Sequence, residues 1–219
     1  MAYKKLKVEI EFIEPLLGTA SANPDIHSEY IASKAADDEE GEFNRRSKDA
    51  KMAEEIAAIG VEGAQGKAMT VFARMDDGET PCIWDYHVKG YFKDACKMLK
   101  KSDGTKSKSL KAYKQEIDGL VHVFPRKIAL RLPEGAGVGE VGKLERPLRA
   151  STAQGERVCL SSSETVPEGT TAEFEVTLMR DALVDYVKEW LDYGELRGMG
   201  QWRNAGWGRF MYRMTEVES

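Results

Sequence analysis

The sequence lacks long apolar runs, paired cysteines and an excess of positive charge. No stretch is long and apolar enough to span a bilayer, and the N-terminus alternates polar with apolar residues instead of forming the blocks of a signal peptide. The three cysteines, Cys82, Cys96 and Cys159, are far apart and show no C-x-x-C spacing, so neither a disulfide framework nor a zinc site is predicted. We therefore expect a cytoplasmic protein without a membrane partner, a metal or another cofactor.

The charge balance excludes a protein that coats nucleic acid over its whole surface. The 219 residues include 32 Lys and Arg against 37 Asp and Glu, a net charge of −5. Any contact with a polyanion must therefore come from a local basic face. With 42% hydrophobic residues the chain can bury one sizeable core, and we predict a single domain over residues 1–219.

The spacing of apolar residues predicts strands interleaved with helices. Residues 5–13 alternate apolar with charged side chains, the period of a half-buried strand, and Pro15 and Gly18 end this run. Residues 88–99 carry apolar side chains at helical spacing, and a second helix is predicted from Asp181 onward. Strand-like runs occupy residues 70–74, 82–84, 120–124, 127–132, 143–148, 158–161, 173–179 and 209–214. This pattern predicts an α+β fold, an antiparallel sheet with two helices on one face.

A segment of different composition interrupts the pattern after the first strand. Residues 19–67 are rich in alanine and in charged residues, with an acidic block at 37–40 and a helical pattern at 50–59. We expect this segment to be a long, partly helical insertion within the single domain.

Two regions concentrate features that suit a single-stranded nucleic acid. Between Lys89 and Lys114 there are nine lysines against two acids, and residues 198–210 hold four glycines, two tryptophans and two arginines. Cations can bind phosphates, flat rings can stack on bases, and glycines let a backbone approach closely. The candidate contact residues are Lys89, Lys93, Lys97, Lys100, Lys101, Gly198, Gly200, Trp202, Arg203, Gly206, Gly208 and Arg209. The alternatives are a solvated lysine face and a Gly-rich turn whose aromatic side chains fill the core.

Three separated blocks resemble the RAMP proteins, the ferredoxin-like or RRM-like subunits of CRISPR effector and RNA-processing complexes. Residues 13–18, continued at 71–93, resemble the strand, Gly turn and Lys-Gly helix start of the backbone-forming subunits, nearest those of type III complexes. Residues 164–170 resemble the family's E-x-V-P-x-G-T turn, and the glycines of 198–208 match its G-x-G…G-x-G loop. The chain is also similar to short prophage proteins.

The resemblance implies a ferredoxin-like or RRM-like sheet with the long insertion after its first strand. It also implies that single-stranded RNA or DNA lies along the sheet and the first helix. Its further implications are a homo-oligomer that repeats along the strand and an association with CRISPR effector subunits.

The resemblance offers two places for catalysis. The RNA-cutting backbone subunits would have their aspartate about where residues 67–69 stand, and no carboxylate is there. In the repeat-processing endoribonucleases a histidine after the first strand does acid–base work. Here His27, Tyr30 and Lys34 would share one face of a helix, and His27 could act as general base toward a 2′-hydroxyl. We predict a non-catalytic nucleic-acid-binding protein. The alternatives are a metal-independent endoribonuclease using His27 and a phage inhibitor that mimics and blocks a host CRISPR effector subunit.

Overall fold

The structure, a computed structural model, describes residues 3–21, 69–135, 141–152 and 155–217. The chain forms two compact units. The first unit consists of Met1–Leu16, Cys82–Glu140 and Val166–Ser219, and the second consists of Leu17–Pro81 and Val141–Thr165. None of the helices in the described ranges has the length and apolar character needed to cross a membrane. The single domain of 1–219 and the insertion at 19–67 stay predictions.

Twelve strands and three α-helices make up the described chain. The strands are β1 (Lys4–Phe12), β2 (Leu16–Leu17), β3 (Ala20–Ser21), β4 (Met69–Val71), β5 (Ala73–Arg74), β6 (Pro81–Trp84), β7 (Val121–Phe124), β8 (Lys127–Arg131), β9 (Gly142–Thr152), β10 (Gly155–Val166), β11 (Thr171–Leu178) and β12 (Phe210–Val217). The helices are α1 (Asp85–Leu99), α2 (Tyr113–Leu120) and α3 (Val184–Asp192). Each predicted strand run overlaps a strand, and both predicted helices are present.

The sheet of the first unit has the strand order β12-β1-β11-β8, and β7 also pairs with β11. Every one of these pairs is antiparallel. Along the chain the order is β1, α1, β7 with β8, β11, α3 and β12, a β-α-β-β-α-β sequence that defines the ferredoxin-like motif. The predicted α+β fold is therefore confirmed.

The core lies between this sheet and the helices. The apolar residues of β1, from Leu6 to Phe12, are fully buried at every second position, as their alternation predicts. From α1 the Tyr91 ring packs edge-on against Phe210 of β12, with 5.1 Å between the ring centroids. Its neighbour Phe92 packs at 5.4 Å against Trp190 of α3. These aromatic contacts fix α1 and α3 on the same face of the sheet.

The opposite face of the central strands carries charge. Lys5 of β1 forms an ion pair with Glu175 of β11 at 3.0 Å, and Lys7 forms one with Glu173 at 3.2 Å. RRM domains stack bases on aromatic side chains of this face. Here the aromatic residues within β1 and β11, Phe12 and Phe174, point into the core.

The second unit is built around the antiparallel pair of β9 and β10. Glu164 of β10 accepts a hydrogen bond from the backbone N–H of Phe72 at 2.8 Å and pairs with Arg74 at 2.7 Å. Only glycine fits at position 18, because a Cβ there would lie 2.6 Å from the carbonyl carbon of Val71. Two residues of the sequence blocks that resemble RAMP proteins, Gly18 and Glu164, thus have structural roles in this unit.

Candidate nucleic-acid interface

The lysines of α1 and of the two residues that follow it fall into two groups, and the first group makes contacts within the fold. Lys93 forms an ion pair with Asp118 of α2 at 2.5 Å, and Lys89 donates to the backbone carbonyl of Asp118 at 3.1 Å. Lys100 donates to the carbonyl of Leu110 at 2.6 Å. These three lysines hold α2 and the preceding loop against α1. Their ammonium groups are therefore already engaged in contacts within the protein.

The second group of lysines faces solvent. Lys97 and Lys101 are exposed, and neither forms an ion pair with a residue of the described ranges. Lys97 follows Asp94 by three residues, so the two lie on the same side of α1. Lys97 also follows Lys93 by four residues, so it lies between Asp94 and the stripe of Lys89 and Lys93 that contacts α2. Lys97 and Lys101 therefore leave their full charge available to a ligand.

Asp94 joins α1 to the Gly-rich loop. Its carboxylate accepts from Nε of Arg197 at 2.5 Å and from Nε of Arg203 at 3.0 Å. Arg197 also donates to the side chain of Asn204 at 2.9 Å, and Arg203 donates to the carbonyl of Gly200 at 3.1 Å. The two predicted basic regions, separated in sequence by about a hundred residues, thus meet at one carboxylate.

Electrostatics at this junction favour an anion. The Asp94 side chain is only 16% exposed. Burial acts to raise its pKa, but the hydrogen bond from Arg197 and the charge of Arg203 outweigh burial and hold the pKa below its usual value. The carboxylate is therefore ionised at neutral pH, yet two guanidinium groups share it. Together with Lys97, the junction keeps an excess of positive charge.

Trp202 presents an aromatic ring beside this junction. Its side chain is 38% exposed, whereas Trp207 is half-buried. The backbone of Trp202 has a φ of 56°, in the left-handed region that non-glycine residues rarely adopt. Such strain is found where a structure holds a side chain in place for function. Trp202 immediately precedes Arg203, so an aromatic ring and a guanidinium group are neighbours in the loop.

The glycines of the loop serve its own packing. A Cβ at Gly198 would overlap the carbonyl oxygen of Trp207, and one at Gly208 would overlap the carbonyl oxygen of Met199. Gly200 and Gly206 have φ values of 77° and 90°, which favour glycine. The fold alone accounts for these four glycines.

Arg209 also has a partner inside the first unit. Its guanidinium lies 2.6 Å from the carboxylate of Glu14. The adjoining Gly208 donates its backbone N–H to the carbonyl of Pro15 at 3.0 Å. The end of the loop is thereby fixed to the segment that follows β1. Of the predicted loop contacts, Arg203 is the residue that contacts α1, through Asp94.

The segment between α1 and α2 is held by α3. The Glu189 carboxylate accepts from the backbone N–H groups of Lys106 and Ser107 at 2.5 and 2.8 Å. The Ser107 side chain is fully buried and accepts from the indole N–H of Trp190 at 3.0 Å. This polar loop, which begins right after Lys101, is therefore an ordered part of the helical layer.

The proposed catalytic residues His27, Tyr30 and Lys34 lie outside the described residues. Within the described ranges, no group of three or more His, Cys, Asp or Glu side chains could hold a metal ion. Sequence reasoning did not single out Asp94 or Arg197. In the sequence, only the position of Arg197 directly before the Gly-rich loop suggests a role for it, and no local pattern marks Asp94.

The comparisons with known proteins bear on the fold. No protein-family model and no curated protein matches the sequence. A chain of a type III-B Cmr-β complex bound to cognate target RNA is similar over 99% of this chain, with a TM-score of 0.53 and 11% identity. This protein spans 61% of that chain's length. A chain of a type IV-B CRISPR complex is similar over 96% of this chain and 90% of its own, with a TM-score of 0.43 and 14% identity. The first of these similarities shows that the protein shares the fold of a chain of the type III-B complex, in line with the predicted ferredoxin-like fold.

Proposed function

We propose that this protein is a non-catalytic RAMP-type subunit that binds single-stranded RNA or DNA at the junction of α1 and the Gly-rich loop. The observation that carries the proposal is the junction at Asp94, where Arg197 and Arg203 meet the helix that carries Lys97. The similar type III-B complex is bound to target RNA, which supports an RNA ligand. Further parts of the proposal are assembly of several copies along the strand and association with CRISPR effector subunits.

The chemistry of the junction suits a phosphodiester backbone. Lys97 and Lys101 supply mobile point charges, and Arg203 supplies a guanidinium with a 41% exposed side chain. Each phosphate neutralised by such a cation releases a counterion, so binding should weaken steeply with salt. Trp202 adds a ring on which a base can stack without regard to sequence. We therefore expect binding with little sequence preference.

Binding of a fluorescein-labelled single-stranded RNA, followed by anisotropy at several salt concentrations, tests the proposal. The double variant Lys97→Ala, Lys101→Ala should bind more weakly, with a salt slope reduced by about 1.4, the value for two phosphate contacts on a single strand. Lys93 and Lys100 are left unchanged, because their contacts with Asp118 and Leu110 support the fold.

The matched control is Lys111→Ala, Lys114→Ala. Both residues are exposed, and they lie just before α2 and in its first turn. The control removes the same charge from the same basic segment, so it should leave the salt slope unchanged. Equal slopes for the parent and for Lys97→Ala, Lys101→Ala would overturn the proposed site.

A further inference from the structure

The strand β12 forms one edge of the sheet that contains β1. Within the described ranges β12 pairs only with β1, and the register runs from Phe210 to Val217 without a bulge. Proteins commonly protect an open sheet edge with a short strand, a bulge, a proline or a lysine. The strand β12 has eight residues and contains neither proline nor lysine. Its edge is therefore suited to pairing with another strand.

The pairing with β1 shows which backbone groups of β12 face the open edge. Just beyond the paired residues, the backbone N–H of Ile13 donates to the carbonyl of Arg209 at 2.9 Å. Arg209 thus belongs to the set of residues whose backbone groups point toward β1. This direction alternates along an antiparallel strand. The N–H and C=O groups of Tyr212, Met214 and Glu216 therefore point away from β1, toward the open edge.

The exposed apolar side chains of β12 lie on the sheet face that carries charge. Met211 is 44% exposed and Val217 is 40% exposed. Met211 lies opposite Glu11 of β1, and Val217 lies opposite Lys5. The two apolar side chains are thus on one face of the sheet, each three residues from Met214 and on either side of it.

We propose that β12 pairs antiparallel with β12 of a second copy of this chain, around a two-fold axis at Met214. In this register the outward-facing backbone groups of Met214 bond to those of Met214 in the other copy. Those of Tyr212 bond to those of Glu216 in the other copy. Met211 of each copy lies opposite Val217 of the other, so both exposed apolar side chains are covered. A two-fold interface requires this kind of self-complementarity.

Other registers of the same pairing fit less well. An axis at Arg213 would place the two Arg213 side chains directly opposite each other, and like charges in that position destabilise a sheet. An axis at Tyr212 would place Met211 opposite Arg213. The axis at Met214 is the one that pairs Met211 with Val217. This match of the strand with its own reverse favours a second copy over an unrelated strand.

The contact goes beyond the proposed function. Copies that repeat along one nucleic-acid strand are related head to tail, because the strand has a direction. A two-fold axis instead relates two copies and then closes. The dimer should therefore form without nucleic acid.

Sedimentation velocity of nuclease-treated protein over a range of concentrations tests the pairing, and the parent should show a monomer–dimer equilibrium. The variant Met211→Lys, Val217→Lys should raise the dissociation constant of the dimer by about 10- to 100-fold, because two apolar cross-strand pairs become two like-charge pairs. The variant Met211→Glu, Val217→Glu should behave in the same way. An equimolar mixture of the two variants should recover dimers, since each introduced lysine then lies opposite a glutamate.

The matched control is Met179→Lys, Leu196→Lys, which makes the same charge change at two exposed apolar side chains outside β12. It should dimerise like the parent. A parent that stays monomeric at every concentration would overturn the inference, as would charged β12 variants that dimerise like the parent or a mixture that recovers no dimer. Oligomers that form only when RNA is added would also overturn it, while supporting the head-to-tail assembly of the proposed function.

Discussion

Replacing Gly198 by alanine should destabilise the protein far more than the same change at Gly206. A Cβ at Gly198 would overlap the carbonyl oxygen of Trp207 and lie 2.5 Å from the carbonyl carbon of Gly208. Both neighbours are backbone atoms, so no side chain can rotate away. The two segments of the loop would have to separate.

The size of the effect follows from what the separation breaks. The backbone N–H of Met199 donates to the carbonyl of Gly208 at 2.9 Å, and leaving such buried groups unpaired costs about 1–3 kcal/mol. The Met199 side chain is buried, and losing all of its packing would cost about 2–5 kcal/mol. Loss of the hydrogen bond and of part of the packing should together lower the free energy of unfolding by about 3–4 kcal/mol. For a chain of this size the Tm then falls by about 10 °C.

Two other glycines calibrate this measurement. At Gly206 the nearest atom to a Cβ is Nε of Arg209 at 3.8 Å, so only the positive φ opposes alanine, at about 1–2 kcal/mol. At Gly90, inside α1, no atom lies within 4 Å of the added Cβ, and alanine should stabilise the helix by about 0.5–1 kcal/mol. Thermal unfolding followed by circular dichroism should rank Gly90→Ala above the parent, then Gly206→Ala, then Gly198→Ala. A Gly198→Ala protein that melts within about 2 °C of Gly206→Ala would refute the reasoning.

Three further predictions concern charge, strain and catalysis. Because the pKa of Asp94 is lowered in the folded protein, its stabilising effect is present above about pH 4 and is lost as the pH falls through the folded-state pKa. Asp94→Asn should therefore be less stable than the parent at pH 7, and urea titrations should show the gap closing at acidic pH; a pH-independent gap would contradict this. Trp202→Gly should melt above Trp202→Ala, since a positive φ costs alanine about 1–2 kcal/mol, while both variants lose RNA affinity equally; equal Tm values would speak against strain at this residue. End-labelled RNA should stay intact with the parent, with or without Mg²⁺; discrete cuts that disappear in His27→Ala would establish the endoribonuclease alternative.

Periodic burial made much of the fold predictable from the sequence. In β1 every second residue enters the core, so the alternation from Leu6 to Phe12 specifies both the strand and its buried face. The helix α2 was not predicted, because Ile117 is its only fully buried residue and one apolar contact creates no period. Its position depends on tertiary contacts, among them the ion pair of Asp118 with Lys93.

The candidate site was only partly predictable for a related reason. The sequence identified the basic segment of α1 but could not distinguish Lys93, which has a partner in α2, from Lys97, which faces solvent. The contact between Asp94 and Arg197 joins residues that are far apart in sequence, so no local pattern marks it.

The hydrogen bonds between Glu189 and the backbone at Ser107 bear on how a ligand would associate. Each protein residue that becomes ordered when a ligand binds weakens binding by about 1–2 kcal/mol, because it loses conformational entropy. The segment after Lys101 is already fixed to α3, so a strand arriving at α1 meets a preformed surface. Association should then be limited by diffusion and charge steering instead of by folding of the protein.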